Sequence, residues 1–318
     1  MKIPKRIASV IINSLKGGVV PRIGLPYITV GRETEIDAFL HDIEIIEDGG
    51  ASFRFIVGKY GSGKSFLLQT IRNYAMDKNM VVADADLSPE RRLQGTRGQG
   101  LSTYKELIRN LSTKTRPEGG ALTLILDRWI SGVQTEVLNE NNLSFGDSRA
   151  EALTEKKIRE VISSLNELVH GFDFARLLTL YYRAYLSADD DMKARVVKWF
   201  RGEYSTKTEA KEQLGVNIII TDDDWYEYIK LFAVFLKKAG YGGLLILIDE
   251  LVNIYKIPNS ITRQYNYEKI LTMYNDTLQG KAQYLGIIMS GTPQCIEDTP
   301  RGVYRYEALR SRLAEGRF

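Results

Sequence analysis

A glycine-rich segment near the start of the chain carries residue types that bind a polyphosphate. Residues 58–65 read Gly-Lys-Tyr-Gly-Ser-Gly-Lys-Ser, and they follow a strand-type apolar stretch at residues 53–57. A helical pattern begins at Phe66, so the order is strand, loop and helix. The loop N–H groups and the helix N-terminus attract phosphate, Lys64 adds a positive charge, and Ser65 suits Mg²⁺. This arrangement predicts nucleotide binding, and a chance match in a glycine-rich turn is the alternative.

The residue types inside this loop each have a physical reason. Glycine permits backbone conformations and close approaches that a Cβ atom would obstruct, so Gly58, Gly61 and Gly63 leave room for phosphates. The predicted nucleotide-binding residues of the loop are Gly58, Lys59, Tyr60, Gly61, Ser62, Gly63, Lys64, Ser65 and Phe66.

A second motif consists of two carboxylates at the end of an apolar run. Residues 244–248 are continuously apolar, which is typical of a strand inside a parallel sheet covered on both faces. Asp249 and Glu250 follow at the carboxyl end of this strand, where doubly wound sheets bind their ligands. We expect Asp249 to bind Mg²⁺ through water and Glu250 to polarise a water for attack on the γ-phosphate. The alternative for this pair is a solvated turn.

Two hydroxyl residues follow a third predicted strand. Residues 284–289 have strand character and lead into Ser290-Gly291-Thr292-Pro293. A hydroxyl at this strand's end could sense the γ-phosphate and help to orient the water, and Ser290 and Thr292 are both candidates. An ordinary turn is the alternative.

The two main motifs are separated by more chain than a simple sheet requires. Ser65 and Asp249 lie 184 residues apart, whereas two strand–helix units need about 30 residues each. We therefore predict an α/β fold, in which residues 1–114 and 216–318 form the parallel sheet core of a P-loop NTPase and residues 115–215 form a large helical insertion. The further predicted elements are a strand at 81–85 and helices at 102–112, 122–137, 151–170, 174–186, 190–200, 225–239 and 303–314.

Two groups of basic residues are candidates for contact with phosphate or a partner. One group lies on a predicted helix of the insertion, and its alternative is the solvated face of an amphipathic helix. The other lies in a glycine-rich stretch, which predicts a mobile basic loop or an exposed loop without such a contact. The first group is Lys193, Arg195, Lys198 and Arg201, and the second is Arg91, Arg92 and Arg97.

Composition excludes several other classes of protein. Lys and Arg number 43 and Asp and Glu number 40, so a net charge of +3 does not describe a polycation that coats nucleic acid. The one cysteine, Cys295, excludes an intramolecular disulfide, and the widely separated His41 and His170 argue against zinc. The apolar runs are far shorter than the ~20 residues of a membrane-spanning helix. We therefore expect a cytoplasmic protein without a membrane partner.

The motifs resemble those of AAA+-type ATPases, P-loop enzymes whose catalytic Glu adjoins the Mg²⁺-binding Asp. Residues 28–36 resemble the segment that packs on adenine in the initiator and clamp-loader branches, which implies a nucleotide contact by Val30, Gly31 and Arg32. Residues 309–313 resemble the Ser-Arg box, which implies that Arg312 is an arginine finger for a neighbouring subunit in a homo-oligomer. A surface salt bridge is the alternative for Arg312.

Three further segments carry a closer resemblance. Residues 20–25 read Val-Pro-Arg-Ile-Gly-Leu, residues 47–55 read Glu-Asp-Gly-Gly-Ala-Ser-Phe-Arg-Phe, and residues 83–93 read Ala-Asp-Ala-Asp-Leu-Ser-Pro-Glu-Arg-Arg-Leu. With them, most of the chain resembles the ATP-binding proteins of BREX-type phage-defence islands, the BrxD-like group. Proteins of this group accompany a helicase-like partner, so the resemblance implies a DNA-related task in prokaryotic defence.

The leading hypothesis is therefore an ATP hydrolase that uses ATP and Mg²⁺ to remodel or load a partner on DNA. The alternative is a nucleotide-gated scaffold or signalling switch with negligible turnover. A small-molecule P-loop kinase is disfavoured by the Asp-Glu pair, and GTP is disfavoured because no Asn-Lys-x-Asp motif occurs. Since only residues 293–318 follow Thr292, the C-terminal helical lid of an AAA+ module is predicted to be absent, either through truncation or because closure comes from elsewhere.

Overall fold

The fold is organised around a parallel sheet. This computed structural model describes residues 3–21, 24–144 and 146–314. Arg22 and Ile23, which belong to the BREX-like segment 20–25, lie outside the described residues. The described residues contain one sheet of four strands. The strands are β1 (Ala51–Val57), β2 (Val81–Asp86), β3 (Leu244–Asp249) and β4 (Leu285–Gly291). They pair in the order β1-β4-β3-β2, and every pairing is parallel. The predicted parallel α/β core is therefore confirmed.

Helices make up most of the remaining chain. They are α1 (Lys5–Lys16), α2 (Glu33–Glu47), α3 (Lys64–Asp77), α4 (Gln99–Arg109), α5 (Leu122–Asn141), α6 (Ser148–Ser163), α7 (Gly171–Leu186), α8 (Asp190–Phe200), α9 (Lys207–Leu214), α10 (Trp225–Lys238), α11 (Val252–Tyr255), α12 (Ser260–Leu278), α13 (Pro293–Glu297) and α14 (Glu307–Ala314). Among the described residues, none of the helices combines the length and the apolar character needed to cross a membrane.

The sheet is covered on both faces, which explains its apolar central strand. Side chains alternate along a strand, so consecutive residues of β3 enter different cores. Leu245 and Leu247 pack in the core that α2 and α3 close, whereas Leu244, Ile246 and Ile248 pack in the core shared with α10 and the insertion. All five side chains are buried. The uninterrupted apolar run of this strand follows from this double coverage.

The insertion joins the sheet through one continuous apolar core. The rings of Phe174 in α7 and Phe200 in α8 lie 5.1 Å apart, and Phe232 in α10 lies 5.1 Å from Phe174 and 5.5 Å from Phe200. The same core includes Leu244, Ile246 and Ile248 of β3. Because the packing runs from α5 to α10 without a break, the domain boundaries at residues 115 and 215 stay a prediction from sequence.

Some elements differ from the sequence-based expectation. Residues 303–314 were expected to form one helix, but a 3₁₀ turn at Val303–Arg305 precedes α14. The predicted helix 151–170 ends earlier, since α6 stops at Ser163 and His170 has a left-handed φ of 60°. The long helix α12 was missed, because Arg263, Asn266 and Asp276 occupy buried positions where apolar residues would reveal the helical period.

The chain that enters the insertion pairs with the outer edge of β2 at one residue. Ser112 exchanges two backbone hydrogen bonds with Val82, at 2.8 and 3.0 Å. Arg72 of α3 donates to the Ser112 hydroxyl at 2.6 Å and to the Pro117 carbonyl at 2.5 Å. These contacts tie the start of the insertion both to the sheet and to the helix that follows the glycine-rich loop.

The continuous core leads to a stability prediction. Phe200→Ala removes a fully buried ring that links the insertion to α10, so the free energy of unfolding should fall by about 3–5 kcal/mol. Phe172→Ala is the matched control, because the Phe172 side chain is 67% exposed and its loss should cost less than about 0.5 kcal/mol. Urea unfolding followed by circular dichroism measures both variants. Equal losses would contradict the packing described here.

Candidate functional site

The predicted chemical residues meet at the carboxyl ends of the strands. The glycine-rich loop leaves β1 at Gly58, and Asp249 ends β3. Strand β4 lies between β1 and β3 and carries Ser290 near its end. The strand order therefore brings together three segments that are far apart in sequence.

The loop has the backbone that its glycines predict. Gly61 and Gly63 have positive φ angles of 77° and 84°, a region that favours glycine. A Cβ atom on Gly58 would lie 2.4 Å from the Ser62 hydroxyl, so no larger residue fits there without a shift. The ammonium of Lys64 donates to the carbonyls of Gly58 and Lys59 at 2.9 and 3.0 Å. The loop is therefore a tight bend with the amine of Lys64 at its centre, immediately before α3.

Three donors converge on the carboxylate of Asp249. The Ser65 hydroxyl donates to Oδ2 at 2.9 Å, and the Ser290 hydroxyl donates to Oδ1 at 2.5 Å. The backbone N–H of Glu250 also donates to Oδ1, at 2.8 Å. Hydrogen bonds to an ionised acceptor are strong, so the side chain of Asp249 has a fixed orientation beside the loop.

Glu250 occupies an unusual backbone conformation at the same edge. Its φ is 62°, which is rare for a residue with a side chain and costs roughly 1–3 kcal/mol unless surrounding contacts enforce it. The next N–H, of Leu251, donates to the Ser290 carbonyl at 3.1 Å, which fixes the turn to β4. The Glu250 side chain is exposed, so it is open to water at the end of β3.

The two hydroxyl candidates after β4 have different partners. Ser290 is fully buried and bonds to Asp249, as described above. Thr292 immediately precedes α13, and its hydroxyl pairs with the Cys295 thiol at 3.1 Å. The structure therefore brings Ser290 to the carboxylate, and the role of Thr292 stays a prediction.

The segment expected to contact adenine reaches the loop through an arginine. The guanidinium of Arg32 donates to the Ser62 carbonyl at 2.9 Å and pairs with Glu35 at 2.6 Å. The hydrogen bond from Arg32 holds the pKa of Glu35 below its usual value. The side chains of Val30 and Tyr60 are 85% and 96% exposed, and their contact with nucleotide stays a prediction. Gly31 is also exposed and has a positive φ of 71°, and its contact with nucleotide likewise stays a prediction.

Arg312 lies on the exposed side of α14. Its guanidinium donates to the Ala308 carbonyl one turn earlier, at 2.7 Å, and among the described residues no carboxylate forms an ion pair with it. The surface salt bridge considered as its alternative is therefore not seen within the described chain. The arginine-finger role stays a prediction.

One acidic residue at this edge was not predicted from the sequence to belong to the site. Asp86, the last residue of β2, is the register partner of Asp249 in the parallel pairing of β2 with β3. Burial raises the pKa of Asp86, and the charges of Asp249, Asp84 and Glu250 add to that rise. Its position at the end of a predicted strand was the available signal, but only the strand order reveals that β2 lies beside β3.

The glycine-rich basic stretch after β2 is held in place. The N–H groups of Leu93 and Gln94 both donate to the buried Asn266 side chain, at 3.0 Å each. At the other end, the carboxylate of Asp222 accepts from the N–H groups of Gly98 and Leu101 at 2.7 and 2.8 Å. These bonds constrain a segment that was expected to be a mobile loop.

The basic face of α8 is partly engaged within the insertion. Lys193 pairs with Asp127 at 3.2 Å, and Lys198 pairs with Glu209 at 2.6 Å. Lys198 also lies 4.5 Å from the centre of the Tyr204 ring. These contacts favour the interpretation of α8 as an ordinary amphipathic helix.

The residues at the sheet edge fit one type of metal site. Across the described ranges, no cluster of three or more His, Cys, Asp or Glu residues could hold a metal ion. Mg²⁺ in nucleotide sites needs no such cluster, because phosphate oxygens and waters complete its octahedron around one or two protein oxygens. The adjacent oxygens of Ser65 and Asp249 are suitable for that role.

Comparison with known proteins identifies the family of the chain. Residues 3–318 match the family described as BREX system ATP-binding protein BrxC/D. No curated protein matches the chain. The family match covers nearly the whole sequence. The chain therefore belongs to the BrxC/D family of BREX system ATP-binding proteins.

Proposed function

We propose that this ATP-binding protein hydrolyses ATP in a Mg²⁺-dependent reaction. The observation that carries the proposal is the 2.9 Å hydrogen bond between Ser65 and Asp249, which lie 184 residues apart. This bond joins the end of the glycine-rich loop, which follows β1, to the carboxylate at the end of β3. P-loop hydrolases need this pair on one metal ion, with a residue beside it that activates water.

Each residue of the site has a defined task in this proposal. The loop N–H groups and Lys64 bind the β- and γ-phosphates, and the Ser65 hydroxyl with the Asp249 carboxylate would hold Mg²⁺. When bound, Mg²⁺ supplies positive charge that offsets the negative charge on the phosphate oxygens. Glu250 accepts a proton from the water that attacks the γ-phosphorus, and ADP leaves with the electrons of the broken P–O bond. Ser290 orients Asp249 through its short hydrogen bond.

We further propose an AAA+-type mechanism in which hydrolysis drives the remodelling or loading of a partner on DNA. The Asp-Glu pair at the end of β3 and the neighbouring Ser290 support this class. The proposed partner is a helicase-like or other component of the same BREX system. The proposed assembly is a homo-oligomer, in which Arg312 would reach the nucleotide of a neighbouring subunit.

Lys64→Ala tests the phosphate loop. Removing an ammonium that bonds directly to phosphate should weaken ATP binding at least about tenfold, because hydrogen bonds to charged groups are worth about 1.5–3 kcal/mol. Isothermal titration calorimetry with ATP measures the effect. Lys207→Ala, on the exposed first turn of α9, serves as the control and should bind ATP like the original protein. Unchanged affinity in Lys64→Ala would mean that the loop has been misinterpreted.

Glu250→Gln tests hydrolysis separately from binding. Loss of the general base should lower kcat by about 10²- to 10⁴-fold, while the ATP dissociation constant changes by less than about threefold. Steady-state phosphate release measures kcat, and equilibrium titration measures the ATP dissociation constant. Glu212→Gln, an exposed change in α9, should leave both unchanged. If Glu250→Gln and the original protein release phosphate equally slowly, the nucleotide-gated switch is the better description.

Ser290→Ala tests the orientation of Asp249. Without its hydroxyl partner the carboxylate can rotate away from Ser65, so kcat or the apparent Mg²⁺ affinity should fall by about 10- to 100-fold. The measurement is the Mg²⁺ dependence of ATP hydrolysis. Thr292→Ala, whose hydroxyl bonds to Cys295, should stay within about threefold of the original rate. A larger loss of activity in Thr292→Ala than in Ser290→Ala would identify the Thr292 hydroxyl as the functional one.

A further inference from the structure

A small cavity away from the nucleotide site is lined entirely by polar and basic side chains. It has a volume of about 150 Å³ and lies between the start of α12 and the 3₁₀ turn before α14. Among the described residues, the lining contains no carboxylate and no residue of the glycine-rich loop. The lining residues are Ser260, Arg263, Gln264, Tyr267, Arg305 and Tyr306.

A buried arginine forms one wall of this cavity. Arg263 is only 4% exposed, and its guanidinium donates to the Ile257 carbonyl at 2.6 Å. Within the described residues, no Asp or Glu lies within 4 Å of it as an ion-pair partner. Arginine stays protonated in proteins, and a buried charge is unfavourable unless an opposite charge compensates it. This site therefore has a buried positive charge that the described chain leaves without a counterion.

Two more guanidinium groups increase this positive charge. Arg301 donates to the same Ile257 carbonyl, at 3.3 Å, so two like charges converge on one oxygen. Arg305 also lines the cavity and donates to the Pro300 carbonyl at 2.5 Å. Carbonyl oxygens carry only a partial negative charge, so they satisfy the hydrogen bonds of Arg263 and Arg305 without neutralising these two cations.

The cavity also offers donors without a full charge. Ser260 is the first residue of α12, a helix of 19 residues whose N-terminus carries a partial positive charge. Ser260 and Tyr306, which each carry a hydroxyl group, also line the cavity. The combination of a helix N-terminus, a buried guanidinium and hydroxyl donors is the arrangement that binds a phosphate group.

We propose that this cavity binds a single phosphate-type oxyanion, separate from the nucleotide in the glycine-rich loop. Its volume is below the roughly 300 Å³ at which ligand pockets begin, so it suits one phosphate group and not a whole nucleotide. The bound oxyanion accepts hydrogen bonds from Arg263 and Arg305 and neutralises the charge that they concentrate. Because Arg263 also bonds to Ile257, the oxyanion stabilises the segment between Glu250 and α12.

Calorimetric titration of the full chain with inorganic phosphate tests this site. The titration is done in a Lys64→Ala background, which weakens phosphate binding at the glycine-rich loop, and at ionic strength held constant with chloride. We expect one phosphate per chain. Adding Arg305→Gln, a change at an exposed residue, should weaken phosphate binding about tenfold or more. Arg263→Gln should do the same, with circular dichroism to confirm that this buried variant folds.

Arg310→Gln is the matched control, because Arg310 is exposed on α14 outside the cavity. It removes the same charge and should leave phosphate affinity unchanged. Absence of phosphate binding in the Lys64→Ala protein would overturn the proposal, as would equal affinity in the Arg305→Gln and Arg310→Gln variants. With Lys64 intact, Arg305→Gln should bind ATP normally, so failure of this site and failure of the nucleotide site are distinguishable.

A second titration identifies the source of the phosphate group. A short single-stranded DNA oligonucleotide replaces inorganic phosphate in the same background. Binding that Arg305→Gln weakens would identify the backbone of nucleic acid as the ligand. Phosphate binding without oligonucleotide binding would identify a free anion, and either result supports the oxyanion site.

Discussion

The carboxylate of Asp249 imposes the strictest constraint on this structure. It accepts hydrogen bonds from Ser65, which follows β1, and from Ser290, which belongs to β4. These bonds require three strand ends to lie side by side, and a parallel sheet with β4 between β1 and β3 meets that requirement. The apolar residues of β3 then have to be covered on both faces. The helices of the insertion and those around the loop provide that cover.

The chain between β2 and the insertion is held at two places. Arg72, on the helix that follows the phosphate loop, bonds to Ser112 and Pro117 at the entrance to the insertion. Asn266 of α12 and Asp222, which precedes α10, hold the chain between β2 and α4. Together these bonds fix the chain that runs from the end of β2 through α4 to the start of the insertion.

Local motifs allowed the central part of the site to be predicted, and long-range pairing explains what was missed. The phosphate loop and the Asp249-Glu250 pair each lie within a few consecutive residues, so their spacing alone indicates their chemistry. Asp86 could not be assigned to the site, since its position depends on the strand order β1-β4-β3-β2. Helix α12 was missed because polar residues such as Asn266 fill its buried face, where they bond to loop backbone and not to apolar neighbours.

The position of β1 has a consequence for how this chain folds during synthesis. Its only strand neighbour among the described residues is β4, and Ala51 pairs with Leu285. At 5–20 residues per second, the ribosome needs roughly 10 to 50 seconds to make the intervening chain. Throughout that interval Phe53, Phe55 and Ile56 lack the partner strand that shields them in the finished protein. The nascent chain therefore carries an unpaired, apolar strand that is open to aggregation or to capture by a chaperone until β4 has been synthesised.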